Sequence, residues 1–369
     1  MRKLKSNLSH SYLLNLSNKL SEINQFETFP NPSVGAIGLD KNLKMYHGIT
    51  GKKGSPHAER NLLKNLRPNL ILSLHTSLEP CCHKGKNPPC TNLIIQKKVK
   101  KVIASSNDLD LRVFKKTQKI LKKKKVNFKC IKKFSNSSYL HNFSKLNNRP
   151  YVTGKLATSN DYYTKHKSKR LFTSKDALKF AHLLRYQSDS ILVGKNTVND
   201  DNPSLDCRID GIKKKLTIFI LNKNLHFKND VLKNKKLQGA FVFHSCKNQS
   251  LINKLKKIFK LIYFDFENKN YHNNLLTKIY ILGFRKLLIE GGKTTIEYFL
   301  KNKCLDEFYH VSNKMNFSIN GKINAKKIVN SLKMTLVDRI NLEHDLILNY
   351  KSNYVYRNNS LNRKIKKNK

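Results

Sequence analysis

Four side chains that could form a hydrolytic metal site lie in two short segments of the chain. His57 stands in the run Pro-His-Ala-Glu, and Cys81 and Cys90 each follow a proline. A catalytic zinc site usually has three protein ligands and leaves the fourth position to water, whose pKa then falls toward about 7. We predict that the zinc ligands are His57, Cys81 and Cys90. The nearby carboxylate of Glu59 then remains free to carry protons to a leaving amine.

Both segments carry signals of a helix start. Residues two apart do not share a face along the body of a helix, so His57 and Glu59 can reach one site only where a helix begins. Pro56 suits that position. The run from residue 88 to 95, PPCTNLII, predicts a second helix start, where free N–H groups favour a thiolate at Cys90. The sequence therefore predicts two helix N-termini that meet at one metal ion.

A structural zinc site is the alternative interpretation of these cysteines. Structural sites usually have four ligands, and Cys82 or His83 could supply the fourth. We predict instead that both are loop residues without a metal role, and that His75 ends a strand rather than binding metal.

The combination of His-x-Glu, Pro-Cys, a second Cys and an unligated Glu is typical of zinc nucleobase deaminases. This chain differs from the short form in having eight residues between Cys81 and Cys90. With that insert, the runs 31–35, 56–59 and 78–90 resemble the deaminase half of the bifunctional riboflavin-biosynthesis deaminase-reductase family. The resemblance implies a cytidine-deaminase-like α-β-α domain that removes an amino group from a phosphorylated pyrimidine. It also implies that Asn31 and Lys86 contact this substrate.

One loop of the first half departs from the family pattern. The run 107–112 corresponds to a loop that usually carries proline where Leu109 and Leu111 stand. This change leaves the zinc motif intact but affects the expected substrate contacts of the loop.

The second half alternates strand and helix patterns. At roughly 150 residues per domain, 369 residues suggest two domains. A polar run ends near residue 148, and apolar strand patterns follow it. We predict short buried strands at 151–152, 190–194, 216–221 and 286–292. We predict helices between them, such as those at 176–186 and 294–301. The alternation predicts an α/β domain around a largely parallel sheet.

Motifs of this half resemble the reductase domain of the same family, which has a dihydrofolate-reductase-like fold and uses NADPH. The matching runs are 149–161, 184–185, 189–205, Arg208 and 290–292. The resemblance implies that Lys155 and Asp161 lie near the reacting sugar and assist proton transfer. The residues implied to border NADPH are Ala157, Leu171, Thr197, Asp201, Gly292, Lys293 and Thr294. The residues implied to border the ribosyl phosphate substrate are Lys169, Arg185, Leu205, Arg208 and Glu290.

Several positions of the reductase half differ from the family pattern. Tyr162 stands where a turn prefers glycine, and Leu171 replaces a tryptophan that is expected near the cofactor. Lys169 replaces a serine, and Asn222 replaces an aspartate at a strand end. We nevertheless expect an active reductase. The predicted domains are a deaminase over residues 1–147, a reductase over 148–358 and a basic tail over 359–369.

The composition is strongly basic. Lys and Arg number 73 against 24 Asp and Glu, a formal net charge of +49. Such a charge alone suggests a nucleic-acid partner. The lysines are scattered over both halves, however, and no aromatic platform for stacking bases is evident. We therefore expect anionic small molecules as partners, no nucleic acid, and a homo-oligomer. Two rival hypotheses remain: a deaminase acting on tRNA or single-stranded nucleic acid, and a non-catalytic zinc-stabilised nucleic-acid-binding protein.

Seven cysteines, an odd number, favour a reducing compartment, so we expect a cytoplasmic protein. Cys130, Cys207, Cys246 and Cys304 are expected to be buried small apolar residues. Near the N-terminus, an amphipathic helix is predicted from the spacing of Leu8, Tyr12, Leu16 and Leu20. No run has the length of a membrane span. The lysine runs 122–125 and 364–369 are expected to be solvated.

Overall fold

The computed structural model describes residues 9–85, 87–131, 136–168, 172–212, 214–268 and 270–353. The contacts within the chain divide it into two compact units. One consists of residues 1–150 and 279–285, and the other of residues 151–278 and 286–369.

The first unit contains a five-stranded sheet and helices on both of its faces. Its strands are β1 (Gly35–Leu39), β2 (Met45–Ile49), β3 (Ser73–Thr76), β4 (Lys101–Ala104) and β5 (Asn127–Cys130). Its helices are α1 (His10–Ile23), α2 (Ala58–Leu63), α3 (Cys90–Gln96), α4 (Lys116–Lys123) and α5 (Asn136–Asn147). The strand order is β2-β1-β3-β4-β5, in which β1 is antiparallel to both neighbours and β3, β4 and β5 are parallel.

The alternation of side chains along β1 separates the two layers of this unit. Ile37 and Leu39 pack against Leu13 of α1 on one face. Ala36 faces the larger core, in which Leu62 of α2 and Ile94 of α3 are buried. Since successive strand residues point to opposite faces, the unit has the predicted α-β-α layering.

Helix α1 forms as predicted, but its most buried face differs from the predicted apolar stripe. Leu8 lies outside the described residues. Tyr12 is 47% exposed, whereas Leu13 is completely buried. Leu16 and Leu20 are half-buried at the margin of the contact with β1. The predicted stripe is therefore rotated away from the sheet.

The rotation of α1 follows from its close approach to β1 at Gly35. A Cβ atom at Gly35 would lie 2.1 Å from the carbonyl oxygen of Ser17 and 2.9 Å from the backbone nitrogen of Ser21. Both serines are buried at this crossing. Small residues, rather than the leucines that the spacing favours, thus face the strand.

We expect the substitution Gly35→Ala to destabilise the first unit by about 3 kcal/mol, because the added methyl group overlaps helix backbone that cannot move independently. The measurement is the urea midpoint of the unfolding transition of this unit. Gly85→Ala is the matched control, since its Cβ would meet only one side-chain atom, at 3.7 Å. Equal midpoints for the two variants would contradict the close-approach explanation.

The second unit is built on a nine-stranded sheet. The strands of the whole unit, including a separate pair, are β6 (Tyr151–Thr158), β7 (Tyr163–His166), β8 (Ser190–Gly194), β9 (Thr217–Leu221), β10 (Phe241–His244), β11 (Lys260–Tyr263), β12 (Lys286–Glu290), β13 (Glu307–Asn313), β14 (Gly321–Asn324), β15 (Met334–Asn341) and β16 (Asp345–Ser352). The order in the large sheet is β11-β10-β9-β8-β12-β6-β13-β16-β15, and β14 pairs separately with β7.

The part of this sheet from β11 to β13 is parallel, and only β16 and β15 are antiparallel to their neighbours.

The remaining helices are α6 (Lys175–Tyr186), α7 (Lys195–Asp201), α8 (Asn229–Lys233), α9 (Gln249–Lys256), α10 (Tyr271–Ile281), α11 (Lys293–Lys301) and α12 (Lys326–Asn330). Two 3₁₀ turns are Lys52–Gly54 and Ser318–Asn320. The predicted α/β arrangement around a largely parallel sheet is confirmed, as are its predicted strands and helices.

The cysteines outside the metal motif are only partly as predicted. Cys207 and Cys304 are buried, but the prediction is wrong for Cys130 and Cys246, which are half-buried. Cys130 ends β5 at the edge of its sheet, and Cys246 lies in the loop after β10, so neither is covered on all sides. All seven cysteines are free thiols.

Lysines 122–125 are exposed, as predicted, while the run 364–369 and the predicted tail lie outside the described residues. Among the residues that the structure describes, no helix has both the length and the apolar character needed to cross a bilayer.

Candidate functional site

His57 and Glu59 lie at the start of α2. His57 is the N-cap residue with extended backbone, and Glu59 is the second residue of the helix. The change of backbone direction at the cap lets residues two apart face one point, as predicted. Helix α2 approaches β2 closely at Gly48, where a Cβ atom would lie only 2.2 Å from the carbonyl oxygen of Ala58. Glycine at this position therefore lets the start of α2 approach the sheet.

Cys81 and Cys90 approach His57 from a second segment. Cys90 is the first residue of α3, after Pro89 as N-cap, and its backbone N–H donates to the sulfur of Cys81 at 3.3 Å. The His57 Nδ1 atom lies 3.4 Å from each of the two sulfur atoms. The two predicted helix starts thus converge.

The donor set fits a zinc ion. One ligand atom from each of His57, Cys81 and Cys90 lies within 4.8 Å of the other two. Within the described part of the chain, this is the one group of three or more His, Cys, Asp or Glu side chains close enough to hold a metal. Imidazole and thiolate are the ligands that zinc prefers. Cys82 instead donates to the carbonyl oxygen of Arg112 at 3.4 Å, so the four-ligand alternative gains no support.

Glu59 lies beside the donor set and is not part of it. Its side chain is buried, and its Oε2 atom is 3.5 Å from the sulfur of Cys90. Burial raises the pKa of Glu59, with a further contribution from the charge of Cys81 that outweighs the opposing effect of His57. A carboxyl group with a raised pKa can both accept and return a proton at neutral pH.

The other residues that the family resemblance implies for the first unit have different outcomes. The side-chain amide of Asn31 donates to the carbonyl oxygen of Gly54 at 3.0 Å, in the loop that leads to His57. Lys86 lies outside the described residues. His75 is buried in β3 near its end, as predicted.

Three side chains of α5 contact the loop 107–112, and none of these contacts was predicted. His141, Asn142 and Lys145 bond to this loop. In the sequence they lie in a polar run before the predicted domain boundary. The only signal is their spacing, which puts all three near one helix face.

In the second unit, Lys155, Arg185 and Glu290 lie close together. Arg185 makes two hydrogen bonds to Glu290 Oε2, at 2.7 and 2.8 Å. Glu290 of β12 is paired with Lys155 of β6. Burial lowers the pKa of Lys155, against the opposing effect of Glu290. Two cations and one carboxylate therefore meet near the carboxyl end of adjacent parallel strands.

The segment from Leu205 to Arg208 is held against α6 by polar contacts. Arg185 donates from Nη1 to the carbonyl oxygen of Asp206 at 3.0 Å, and the backbone N–H of Arg208 donates to His182 Nδ1 at 3.1 Å. Leu205 is buried, with a φ of 50°. The side chain of Arg208 is 68% exposed and lies 3.4 Å from Asp206, which leaves it available to an anionic ligand.

The turn between β12 and α11 suits a phosphate group. Gly292 is the N-cap of α11, and its backbone N–H donates to Thr197 Oγ1 of α7 at 3.1 Å. Lys293 and Thr294 occupy the first turn, where backbone N–H groups point out of the helix. Asp201 ends α7, 3.6 Å from Lys165, and Ala157 lies in β6. The N–H groups at the start of α11 can bind an anionic phosphate group.

Asp161 and Tyr162 form a turn after β6. The Asp161 carboxylate accepts from the backbone N–H groups of Phe317 and Ser318 and from the Ser159 hydroxyl. Within the described residues, no hydrogen bond or ion pair joins Asp161 to Lys155. Tyr162 has a φ of 68°, the left-handed conformation for which the family uses glycine. Lys169 and Leu171 lie outside the described residues.

Comparison with known proteins covers both units. Residues 8–106 match the family model described as the cytidine and deoxycytidylate deaminase zinc-binding region, and residues 150–343 match the RibD C-terminal domain. The riboflavin biosynthesis protein RibD of Aquifex aeolicus is 30% identical over 88% of this chain and 93% of its own length. The chain belongs to the RibD family.

Further proteins resemble this chain in sequence or, for one solved structure, in fold. RibD of Bacillus amyloliquefaciens is 29% identical over 81% of this chain and 82% of its own length. The solved structure of Acinetobacter baumannii RibD superposes with a TM-score of 0.78 at 23% identity, covering 93% of this chain and 98% of that one. A relative from Buchnera aphidicola, named diaminohydroxyphosphoribosylamino-pyrimidine deaminase, is 39% identical over 30% of this chain and 76% of its own length.

Membership of the RibD family confirms the predicted fold class and enzyme class. The chain has a cytidine-deaminase-like domain that binds zinc, followed by an α/β reductase domain of the RibD C-terminal type that uses NADPH. It is a deaminase and reductase of riboflavin biosynthesis. A tRNA deaminase with an unrelated second half is not favoured, because the second half matches the RibD C-terminal domain.

Proposed function

We propose that the chain catalyses two successive steps. The first removes the 2-amino group of 2,5-diamino-6-(5-phosphoribosylamino)pyrimidin-4-one as ammonia. The second reduces the ribosyl side chain of the product with NADPH to give 5-amino-6-(5-phosphoribitylamino)uracil. The observation that carries the proposal is the convergence of His57, Cys81 and Cys90 beside the buried Glu59, in a chain that also has the reductase domain.

In the first step, we assign His57, Cys81 and Cys90 as the zinc ligands and Glu59 as the proton carrier. Zinc, when bound, lowers the pKa of water and so supplies a nucleophile at neutral pH. Glu59 would accept a proton from the attacking water and would deliver it to the amine that leaves as ammonia. The burial of Glu59 favours this role, because a solvated carboxylate would remain ionised. Asn31 and Lys86 are assigned to substrate binding.

In the second step, the C1–O bond of the ribose breaks, C1 gains a hydride, and the ring oxygen gains a proton. NADPH supplies the hydride. Lys155, whose pKa is lowered by burial, is assigned as the proton donor, and Asp161, in the turn that follows β6, is assigned to assist proton transfer. Arg185, Arg208 and Glu290 are assigned to the substrate together with Lys169 and Leu205. The assigned NADPH contacts are Ala157, Leu171, Thr197, Asp201, Gly292, Lys293 and Thr294.

We also propose that residues 1–147 form the deaminase domain and 148–358 the reductase domain, with 359–369 as a basic tail. The scatter of the lysines supports a preference for anionic small molecules over nucleic acid. Seven free thiols support a cytoplasmic location. A homo-oligomer is proposed on the family resemblance.

The experiment that tests the proposal follows ammonia release and NADPH absorbance in one reaction. The zinc-loaded protein is incubated with the diaminopyrimidine ribosyl phosphate, with and without NADPH. We expect ammonia in both cases, and NADPH oxidation only after deamination. Ammonia without NADPH oxidation would contradict the reductase half and would point to Tyr162 and Leu171. Absence of both signals would refute the proposal.

A further inference from the structure

The loop 107–112 is held by one face of α5. His141 Nε2 lies 3.2 Å from Asp108 Oδ1. The Asn142 side chain accepts from the backbone N–H of Leu109 at 3.2 Å and donates to the carbonyl oxygen of Asn107 at 3.3 Å. Consecutive residues of the loop are thus each bonded to the helix.

Lys145 completes this set at Asp110. Its Nζ atom lies 2.8 Å from Asp110 Oδ2, and Arg112 binds the same carboxylate through Nε at 2.9 Å and Nη2 at 2.7 Å. The hydrogen bonds of Arg112, with further contributions from Lys145, hold the pKa of Asp110 well below its usual range. Asp110 therefore remains ionised, and both ion pairs persist at neutral pH.

The same loop is joined to the segment that carries Cys81. The backbone N–H of Glu79 donates to the carbonyl oxygen of Ser106 at 2.8 Å, and the backbone N–H of Asp108 donates to Glu79 Oε2 at 3.3 Å. Cys82 bonds to the far end of the loop at Arg112. A displacement of the loop would therefore also displace Glu79 and Cys82, which lie close to the predicted zinc ligand Cys81 in the sequence.

We propose that α5 holds this loop beside the Cys81 segment through His141, Asn142 and Lys145, and that the deaminase needs this ordered loop to bind its substrate. These three are positioning residues, and the inference rests on the proposed deaminase function. Proline stiffens a loop by fixing φ. Here the bonds from α5 restrict the same backbone from outside.

The decisive variant is Lys145→Met, which keeps the length of the side chain and removes one ion pair. We expect the KM of the deaminase step to rise about tenfold, with kcat changed less than twofold, because the loop is ordered less of the time. Zinc content and NADPH oxidation with the deaminated substrate should not change. Lys123→Met, an exposed lysine at the end of α4, is the control for the lost charge.

A rescue distinguishes loop order from a general loss of structure. Asp110 caps the turn that follows it, since its Oδ1 atom accepts from the N–H of Arg112 at 3.0 Å. Leu111 is then the first residue of the turn, where proline is favoured. Its side chain is 82% exposed. We expect Leu111→Pro, added to Lys145→Met, to return KM to within about threefold of the parent value.

Hydrogen exchange of the amides of residues 108–113 gives an independent measure of loop order. We expect faster exchange in Lys145→Met, and in Asn142→Ala as a second variant, and slower exchange again after Leu111→Pro. Faster exchange with unchanged KM would overturn the proposal, as would an equal rise of KM in Lys123→Met or failure of the rescue. A zinc-loaded parent protein that releases no ammonia would instead refute the deaminase function, and the exchange data would still report on α5.

Discussion

Replacement of Glu59 by glutamine is expected to reduce ammonia release at least about 100-fold while the protein retains zinc. Glutamine keeps the volume of the side chain, so the buried position beside Cys90 remains filled. It cannot accept a proton from water or pass one to the departing amine. The measurement is the rate of ammonia release at saturating substrate, together with zinc content by elemental analysis.

The reductase provides an internal control for this variant. NADPH oxidation with the deaminated substrate should match the parent rate, because Glu59 belongs to the other catalytic unit. Glu22→Gln, an exposed carboxylate on α1, makes the same change of charge and should leave both activities intact. Near-normal deamination by Glu59→Gln would exclude Glu59 as the proton carrier.

The second large effect is expected for Cys90→Ser. This substitution removes one of three predicted ligands and replaces a soft thiolate by a hydroxyl that zinc binds weakly, so zinc affinity should fall more than about 100-fold. Deamination should fall with the zinc content, and the reductase should persist. The measurement is zinc bound per chain after dialysis against a fixed free-zinc buffer.

Cys82→Ser is the matched control for Cys90→Ser. Cys82 is adjacent to a predicted ligand, yet its thiol bonds to Arg112 rather than facing the metal group. It should retain zinc like the parent protein. Full zinc content in Cys90→Ser, or loss of zinc in Cys82→Ser, would overturn the assigned ligand set.

The metal site was predictable because its signals are local. His57 and Cys90 each follow a proline, and His57 is the N-cap of α2 while Cys90 is the first residue of α3. The position of a side chain relative to its own helix start depends on neighbouring residues alone. The parallel sheet of the second unit was predictable for a similar reason. Short apolar runs that alternate with segments of helical periodicity are compatible with only a few architectures.

Features that depend on distant contacts were not predictable from local patterns. The orientation of α1 is set by the absence of a side chain at Gly35. Gly35 lies in β1, so the spacing of apolar residues within α1 carries no information about it. The bonds from α5 to the loop at Asp108 and Asp110 join residues more than 30 positions apart. The left-handed φ of Tyr162, by contrast, followed from the glycine that the family has there.

The position of the zinc ligands makes the metal a cross-link as well as a cofactor. His57 and Cys90 are 33 residues apart, and all the ligands lie in the first unit. An ion that binds only the folded form stabilises it in proportion to the logarithm of its free concentration. Scarcity of zinc would thus deplete one activity before the other, and the same polypeptide would become a monofunctional reductase whose substrate is no longer produced.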